Sequence, residues 1–179
     1  TDAADKTGLR PGTPIINGGG DLTVTALGSG AINEGELHIS LGTSSWVAGH
    51  FTKRKIDLAH YTGCIGSTYP QKYYLGMAHQ ETAGICLEWL KKNVLYHEEQ
   101  LKAEAHVTNI YELLDSLAER AGPGAGGLIF TPWMYGERCP LDDDTIRAGL
   151  FNVSLNHSRE HMIRAVFEGI AFNTRWAME

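Results

Sequence analysis

Cysteine is scarce in this chain: three among 179 residues, at Cys64, Cys86 and Cys139. They are widely spaced, odd in number and form no C-x-x-C pair, which points away from a disulfide framework or a zinc ribbon. Basic clusters are lacking too. The densest, Lys53-Arg54-Lys55, reads as a solvated loop, and a formal net charge of −6 argues against a nucleic-acid or anionic-membrane surface. No apolar stretch is long enough to span a bilayer, and the N-terminal residues carry no signal-peptide pattern. A reducing cytoplasm is the expected setting. No repeat recurs at a fixed short period.

What is present is an ordinary globular composition, 42% hydrophobic and 20% charged, in a chain long enough for one sizeable domain or parts of two. Two details predict a piece of something longer. The chain begins Thr1-Asp2 without a methionine, and it ends inside a helical pattern, Ser158 to Glu179, with no stop signal. In that segment Met162, Ile163, Val166, Phe167 and Ile170 share one face, which expects a partner surface, and Ser158 is placed to cap it.

Elsewhere helices and strands mix, giving an α/β class. Pro14-Ile15-Ile16 reads as a buried strand end and Leu22 to Ala31 as a small-residue helix. Leu37–Leu41 alternates as a strand and Ser45–Phe51 continues as a second, with more expected near Gly63 to Thr68 and Tyr73 to Met77. A helix from about Thr82 to Leu95 carries Ile85, Cys86, Trp89, Leu90 and Val94 on its apolar side, with Cys86 as a small core residue. Another spans about Ile110 to Arg120, where Asn109 and Glu112 resemble a capping box. Gly122 to Gly127 is a loop, and Leu128-Ile129-Phe130 a further strand.

Two motifs carry chemistry. Gly18-Gly19-Gly20-Asp21 presents an acid on a backbone free to approach a ligand. About twenty residues later, Ser40-Leu41-Gly42-Thr43-Ser44-Ser45 adds a Gly-hydroxyl turn. Each alone is common turn chemistry; together they suit a site where a carboxylate works beside a phosphate. A competing motif is His157-Ser158-Arg159-Glu160-His161, a match to the H-x-x-E-H zinc peptidase pattern. That chemistry needs both histidines on one helical face. With Ser158 as cap, His157 falls outside the helix, so a capping turn with two solvated histidines is the expectation.

Taken in order, the motifs resemble the FGGY carbohydrate kinases, most of all the xylulokinase branch. The matching segments are Thr7-Gly8-Leu9 through Asp21; Leu41 to Ser45; Ala83-Gly84-Ile85-Cys86-Leu87-Glu88-Trp89-Leu90; Leu128 through Gly136-Glu137-Arg138-Cys139-Pro140; and Ala148 to Asn152 with His161 to Phe172. The resemblance implies an actin-like, ribonuclease-H-like fold of two domains around an ATP cleft. Residues 1–36 would close the first domain and residues 37–179 open the second, the chain being inactive alone.

It also implies ATP-dependent phosphorylation of a sugar hydroxyl, with a ketopentose such as D-xylulose as first choice, and Mg²⁺ bridging the phosphates. Asp21 would be the general base, and Gly20 and Asp21 would meet the sugar. Gly42 and Thr43 would offer an amide and a hydroxyl to the β- and γ-phosphates with Ser44 beside them. Gly84 would let the nucleotide approach backbone. The implied partners are the sugar and the remainder of the kinase's own domains, a homodimer being left open.

Three departures stand out. Leu22 replaces a side-chain amide usual after the acid, Glu88 stands where glycerol kinases place Gln, and Asn152 replaces a glycine. Asn suits left-handed backbone better than most residues, so the fold should keep it. Glu137-Arg138 reads as a structural ion pair or hinge, and Phe167-Glu168-Gly169 as packing plus a helix-surface acid. The alternative to a kinase is a non-catalytic actin-like nucleotide-binding or interaction domain.

Overall fold

The computed structural model describes residues 2–95 and 109–179. Two short helices come first, α1 (Asp2–Thr7) and α2 (Asp21–Gly28). The Pro14-Ile15-Ile16 run between them is not the buried strand end its composition predicts. It pairs with no strand among the described residues, and Ile15 and Ile16 are 79% and 90% exposed. An apolar run becomes a buried strand only where a neighbouring strand or layer covers it, and none of the described residues does. Helix α2 stops short of Ala31 because Gly30 takes a φ of 88°, outside the helical region.

Strands β1 (Leu37–Leu41), β2 (Ser45–Phe51), β3 (Gly63–Gly66) and β4 (Tyr74–Gln80) form one antiparallel sheet in the order β1-β2-β4-β3. Strand β4 runs further than its sequence pattern suggests, because Ala78, His79 and Gln80 pair with Val47, Trp46 and Ser45. Successive side chains point to opposite faces. On one face Ala48 and Leu75 form a small core with Ala26 of α2, and Leu22, Trp46 and Met77 pack against it. Gln80 points to the other face, where its Oε1 accepts from the Thr174 hydroxyl at 3.0 Å.

The larger core lies beyond the sheet. It joins α3 (Gly84–Asn93), α4 (Ile110–Ala121), the antiparallel pair β5 (Ile129–Thr131) and β6 (Gly149–Phe151), and the long α5 (Arg159–Met178). Helix α5 finds its partner surface here: Ile163, Val166 and Ile170 are buried, with Met162 and Phe167 packed alongside. Each such aliphatic side chain contributes on the order of 1.5–3 kcal/mol when fully buried. Ser158 caps α5 as expected, its hydroxyl 2.9 Å from His161 Nδ1. Asn109 caps α4, its Oδ1 accepting from the Tyr111 amide at 3.0 Å while its Nδ2 donates to Glu112.

Helix α3 turns a narrower apolar face inward than predicted. Cys86 and Leu90 are buried, and burial pushes the Cys86 thiol up to about 11. Ile85, Trp89 and Val94 stay largely exposed. Its first turn is held by the β1–β2 turn.

Candidate functional site

Strand β1 passes into β2 through Gly42-Thr43-Ser44. Inside the turn the Gly42 amide donates to the Ser44 carbonyl at 2.8 Å. The turn's other carbonyls face α3. Thr43 O accepts from the Ala83 amide at 2.9 Å and the Ile85 amide at 3.3 Å, and Gly42 O from the Gly84 amide at 2.8 Å. The first amides of a helix have no partner within it; here the hairpin turn supplies them, and its sequence does the capping that Ala83 cannot. A side chain on Gly84 would collide with the Gly42 carbonyl.

Three of the residues assigned to nucleotide, Gly42, Thr43 and Gly84, thus form one clasp, with Ser44 next to them. The geometry revises two roles. The Gly42 amide is spent within the turn, and Gly84 is a glycine because the turn packs on it. Thr43 is exposed, and its hydroxyl has no partner among the described residues.

Asp21 opens α2, with Gly20 as the cap residue. Its Oδ1 accepts from the Leu22 amide at 2.9 Å, and the carboxylate is exposed. Of the preceding glycines, Gly19 lies beneath Val24, where a β-carbon would come within 2.3 Å of Val24 Cγ1. Leu22 is a packing residue that seats α2 on the sheet. No hydrogen bond among the described residues joins Asp21 directly to Gly42–Ser44. Their link is the shared core, which Leu22 meets from the acid's side and Trp46 from the turn's side.

Behind the clasp runs a buried polar seam that sequence reading reached only as an ion pair. Glu137, 2% exposed, does not pair with Arg138, which bonds Glu81 instead. Glu137 Oε1 accepts from the amides of Glu81 (2.9 Å) and Arg138 (2.8 Å), and Oε2 from Asn173 Nδ2 (2.7 Å). Burial raises its carboxyl above the ordinary range, against the pull of these donors. Asn173 Oδ1 accepts from Trp133 Nε1 at 3.1 Å, and the Thr82 hydroxyl donates to the Pro132 carbonyl. The Gly-Glu-Arg motif was the available signal, but the partners lie 56 and 36 residues away.

The remaining predictions sort plainly. Glu88 bonds Tyr111 and Lys91, tying α3 to α4. Asn152 takes a φ of 63°, as a glycine-like position requires. Glu168 is more than a surface acid: its Oε1 accepts from the Gly124 amide and Arg164 Nε, both at 2.7 Å, and so holds the Gly122–Gly127 loop. His157 and His161 are half-buried rather than solvated. His157 lies outside the helix; its Nδ1 accepts from the Ser154 amide at 3.0 Å and its Nε2 lies 3.1 Å from the Gly126 carbonyl.

The family described as FGGY family of carbohydrate kinases, C-terminal domain, matches residues 37–179. The chain belongs to the FGGY family of carbohydrate kinases. It is 31% identical over 172 residues to the gluconokinase of Bacillus subtilis (strain 168), covering 96% of this chain and 33% of that protein. To the xylulose kinase of the same organism it is 30% identical over 176 residues, covering 98% and 33%. Among solved structures, the gluconate kinase from Lactobacillus acidophilus superposes with a TM-score of 0.83 at 28% identity, over 99% of this chain and 34% of that one. A ligand-bound xylulose kinase from the same organism gives 0.81 at 28%, with the same coverage. The FGGY chain therefore has the actin-like, ribonuclease-H-like α/β fold of these kinases, and it spans about a third of the length of the relatives it matches. No described helix is long and apolar enough to cross a membrane.

Proposed function

We propose that this chain is the part of an ATP-dependent sugar kinase that carries the proton acceptor and a phosphate turn. Residues 1–36 would close the first domain and residues 37–179 begin the second. The observation that carries the reading is the clasp: the turn that bears the exposed Thr43 is bonded through its backbone carbonyls to the first amides of α3, and adjoins the core on which α2 seats the exposed carboxylate of Asp21. The amide end of a helix favours negative charge. A donor fixed there suits a phosphate.

In this reading Asp21 takes the proton of the attacking sugar hydroxyl as the new oxygen–phosphorus bond forms and the bond to the ADP oxygen breaks. Phosphoryl transfer is governed by positioning and charge stabilisation, so what the site asks of the carboxylate is its placement beside the hydroxyl. One Asp21 oxygen is fixed by the Leu22 amide, which orients the other. Gly20, without a side chain, leaves room for the sugar beside it. Thr43 and Ser44 meet the β- and γ-phosphates, while Gly42 and Gly84 shape the turn.

Mg²⁺ neutralises charge on the phosphates of ATP. No group of three His, Cys, Asp or Glu among the described residues could hold it; in this reading it would be held largely by water and by carboxylates from the remainder of the kinase. The relatives' names support two acceptor classes, a ketopentose such as D-xylulose and an aldonate such as gluconate. Leu22, partly buried and packed against the sheet's small core, is given to seating α2 rather than to choosing between them. The test is ATP consumption by the whole protein against a panel of ketoses, polyols and aldonates. One strongly preferred acceptor supports the proposal; none in the panel, with no ATP binding, sinks it.

A further inference from the structure

We propose that Glu137 is a positioning residue for the Gly42–Ser44 turn, acting through the link from β4 to α3. The proposal rests on reading that turn as the phosphate site. The link is Glu81-Thr82-Ala83-Gly84. Its far end, Ala83 and Gly84, donates the amides that hold the turn's carbonyls. Its near end is pinned by Glu137, whose Oε1 accepts from the Glu81 amide at 2.9 Å. Between them the Thr82 hydroxyl donates to Pro132 O and the Thr82 carbonyl accepts from Gln80 Nε2 at 2.8 Å. Glu137 is fixed from the opposite side by Asn173 of α5, itself locked by Trp133.

A space-filling role alone does not call for a carboxylate here. Taking one out of water is costly unless it is fully bonded. What it offers in return is acceptance of N–H groups from three separate segments, the β4–α3 link, its own loop and α5. Charge-assisted bonds of this kind are short and directional. The arrangement makes the position of the turn depend on a side chain buried behind it.

The polarity of the contacts gives a specific test in the whole protein. Both backbone amides bond Oε1, so Glu137→Gln can keep them but sets its amino group against that of Asn173. Asn173→Asp supplies an acceptor in its place. Glu137→Leu removes every acceptor and has no such rescue. The readouts are amide hydrogen exchange at Ala83, Gly84 and Ile85, and KM for ATP against KM for the sugar. Glu168→Leu, which removes the acceptor of the Gly124 amide and so loosens the Gly122–Gly127 loop instead, is the control for general destabilisation.

Expected for Glu137→Leu are about tenfold faster exchange at those three amides and about tenfold higher KM for ATP, with KM for the sugar within about twofold. Glu137→Gln should fall between, the double variant Glu137→Gln/Asn173→Asp near wild type, and Glu168→Leu should leave the three amides unchanged. Unchanged exchange in Glu137→Leu, acceleration no greater there than across the domain, or a double variant no better than Glu137→Gln would overturn the proposal. Local acceleration with an unchanged KM for ATP would keep Glu137 as the residue that positions the turn and count against the phosphate reading.

Discussion

A methyl group built on Gly84 would stand 2.6 Å from the carbonyl oxygen of Gly42. Two glycines that sequence reading assigned separately to a nucleotide are thus in direct contact, and the contact sets how far the β1–β2 turn reaches over α3. Gly84→Ala should force the turn off the helix and strip partners from the first amides of α3. Overpacking of this kind costs about 1–3 kcal/mol. Urea denaturation measures the loss, and weaker ATP binding should accompany it. A Gly84→Ala variant as stable as wild type would mean that the turn yields without cost.

Asn152 tests the backbone at a different point. Its φ of 63° lies in the left-handed region, and its Nδ2 donates to the Gly127 carbonyl at 3.0 Å. Asn152→Gly keeps the conformation and loses only the bond, a cost of about 1 kcal/mol. Asn152→Ala loses the bond and adds strain of about 1–2 kcal/mol. Alanine should therefore be the less stable of the two variants in the same denaturation assay; equal losses would show that the conformation carries no strain.

Local chemistry explains what was legible. The alternation of Leu37–Leu41, the caps at Asn109 and Ser158 and the buried face of α5 are all written in neighbouring residues. So is Asn152, because a left-handed position favours a short list of side chains. The misreadings were at positions decided by distant partners. Pro14-Ile15-Ile16 has the composition of a buried strand but no covering layer among the described residues. Ile85 and Trp89 share the helical period of Cys86, yet only Cys86 meets the core. Glu137 and Arg138 are adjacent and opposite in charge, but their partners are Asn173 and Glu81. For the site itself, both motifs were visible as motifs. The contact between Gly42 and Gly84 was not, since the Gly42 carbonyl accepts from the Gly84 amide across 42 residues of chain, while the Gly42 amide is spent inside its own turn.

His79 gives the chain a pH dependence with a definite sign. It lies beside Trp46 across the β2–β4 ladder, near Glu81 and Arg138, with its Nδ1 3.8 Å from Glu81 Oε1. Burial first, and then the charge of Arg138, hold its imidazole below the ordinary 6.5, with Glu81 opposing. Below 6.5 the unfolded chain takes up a proton that the folded chain refuses. This contribution to stability is full above 6.5 and declines as pH falls toward the lower folded value. Thermal unfolding at a series of pH values between 7 and 5, as a rough bracket of the histidine range, should show a shallower fall in His79→Gln than in wild type. Parallel curves would remove His79 as the source.

Asp21 is where the proposed chemistry is most exposed to test. Its carboxylate is solvent-accessible and, among the described residues, makes one hydrogen bond, accepting from the Leu22 amide. Asp21→Asn can keep that bond through its amide oxygen, so α2 and its seat on the sheet should be undisturbed, and the variant should unfold at the wild-type denaturant concentration. What it loses is the capacity to take a proton. Removing a positioned general base typically costs about 10²–10⁴-fold in turnover, so kcat for sugar phosphorylation by the whole protein should fall by that order, while KM for ATP stays put. Asp21→Glu retains the carboxylate but moves it by a methylene, and should recover only part of the rate. A variant Asp21→Asn that folds normally and turns over at the wild-type rate would leave the exposed carboxylate with no part in the proton transfer.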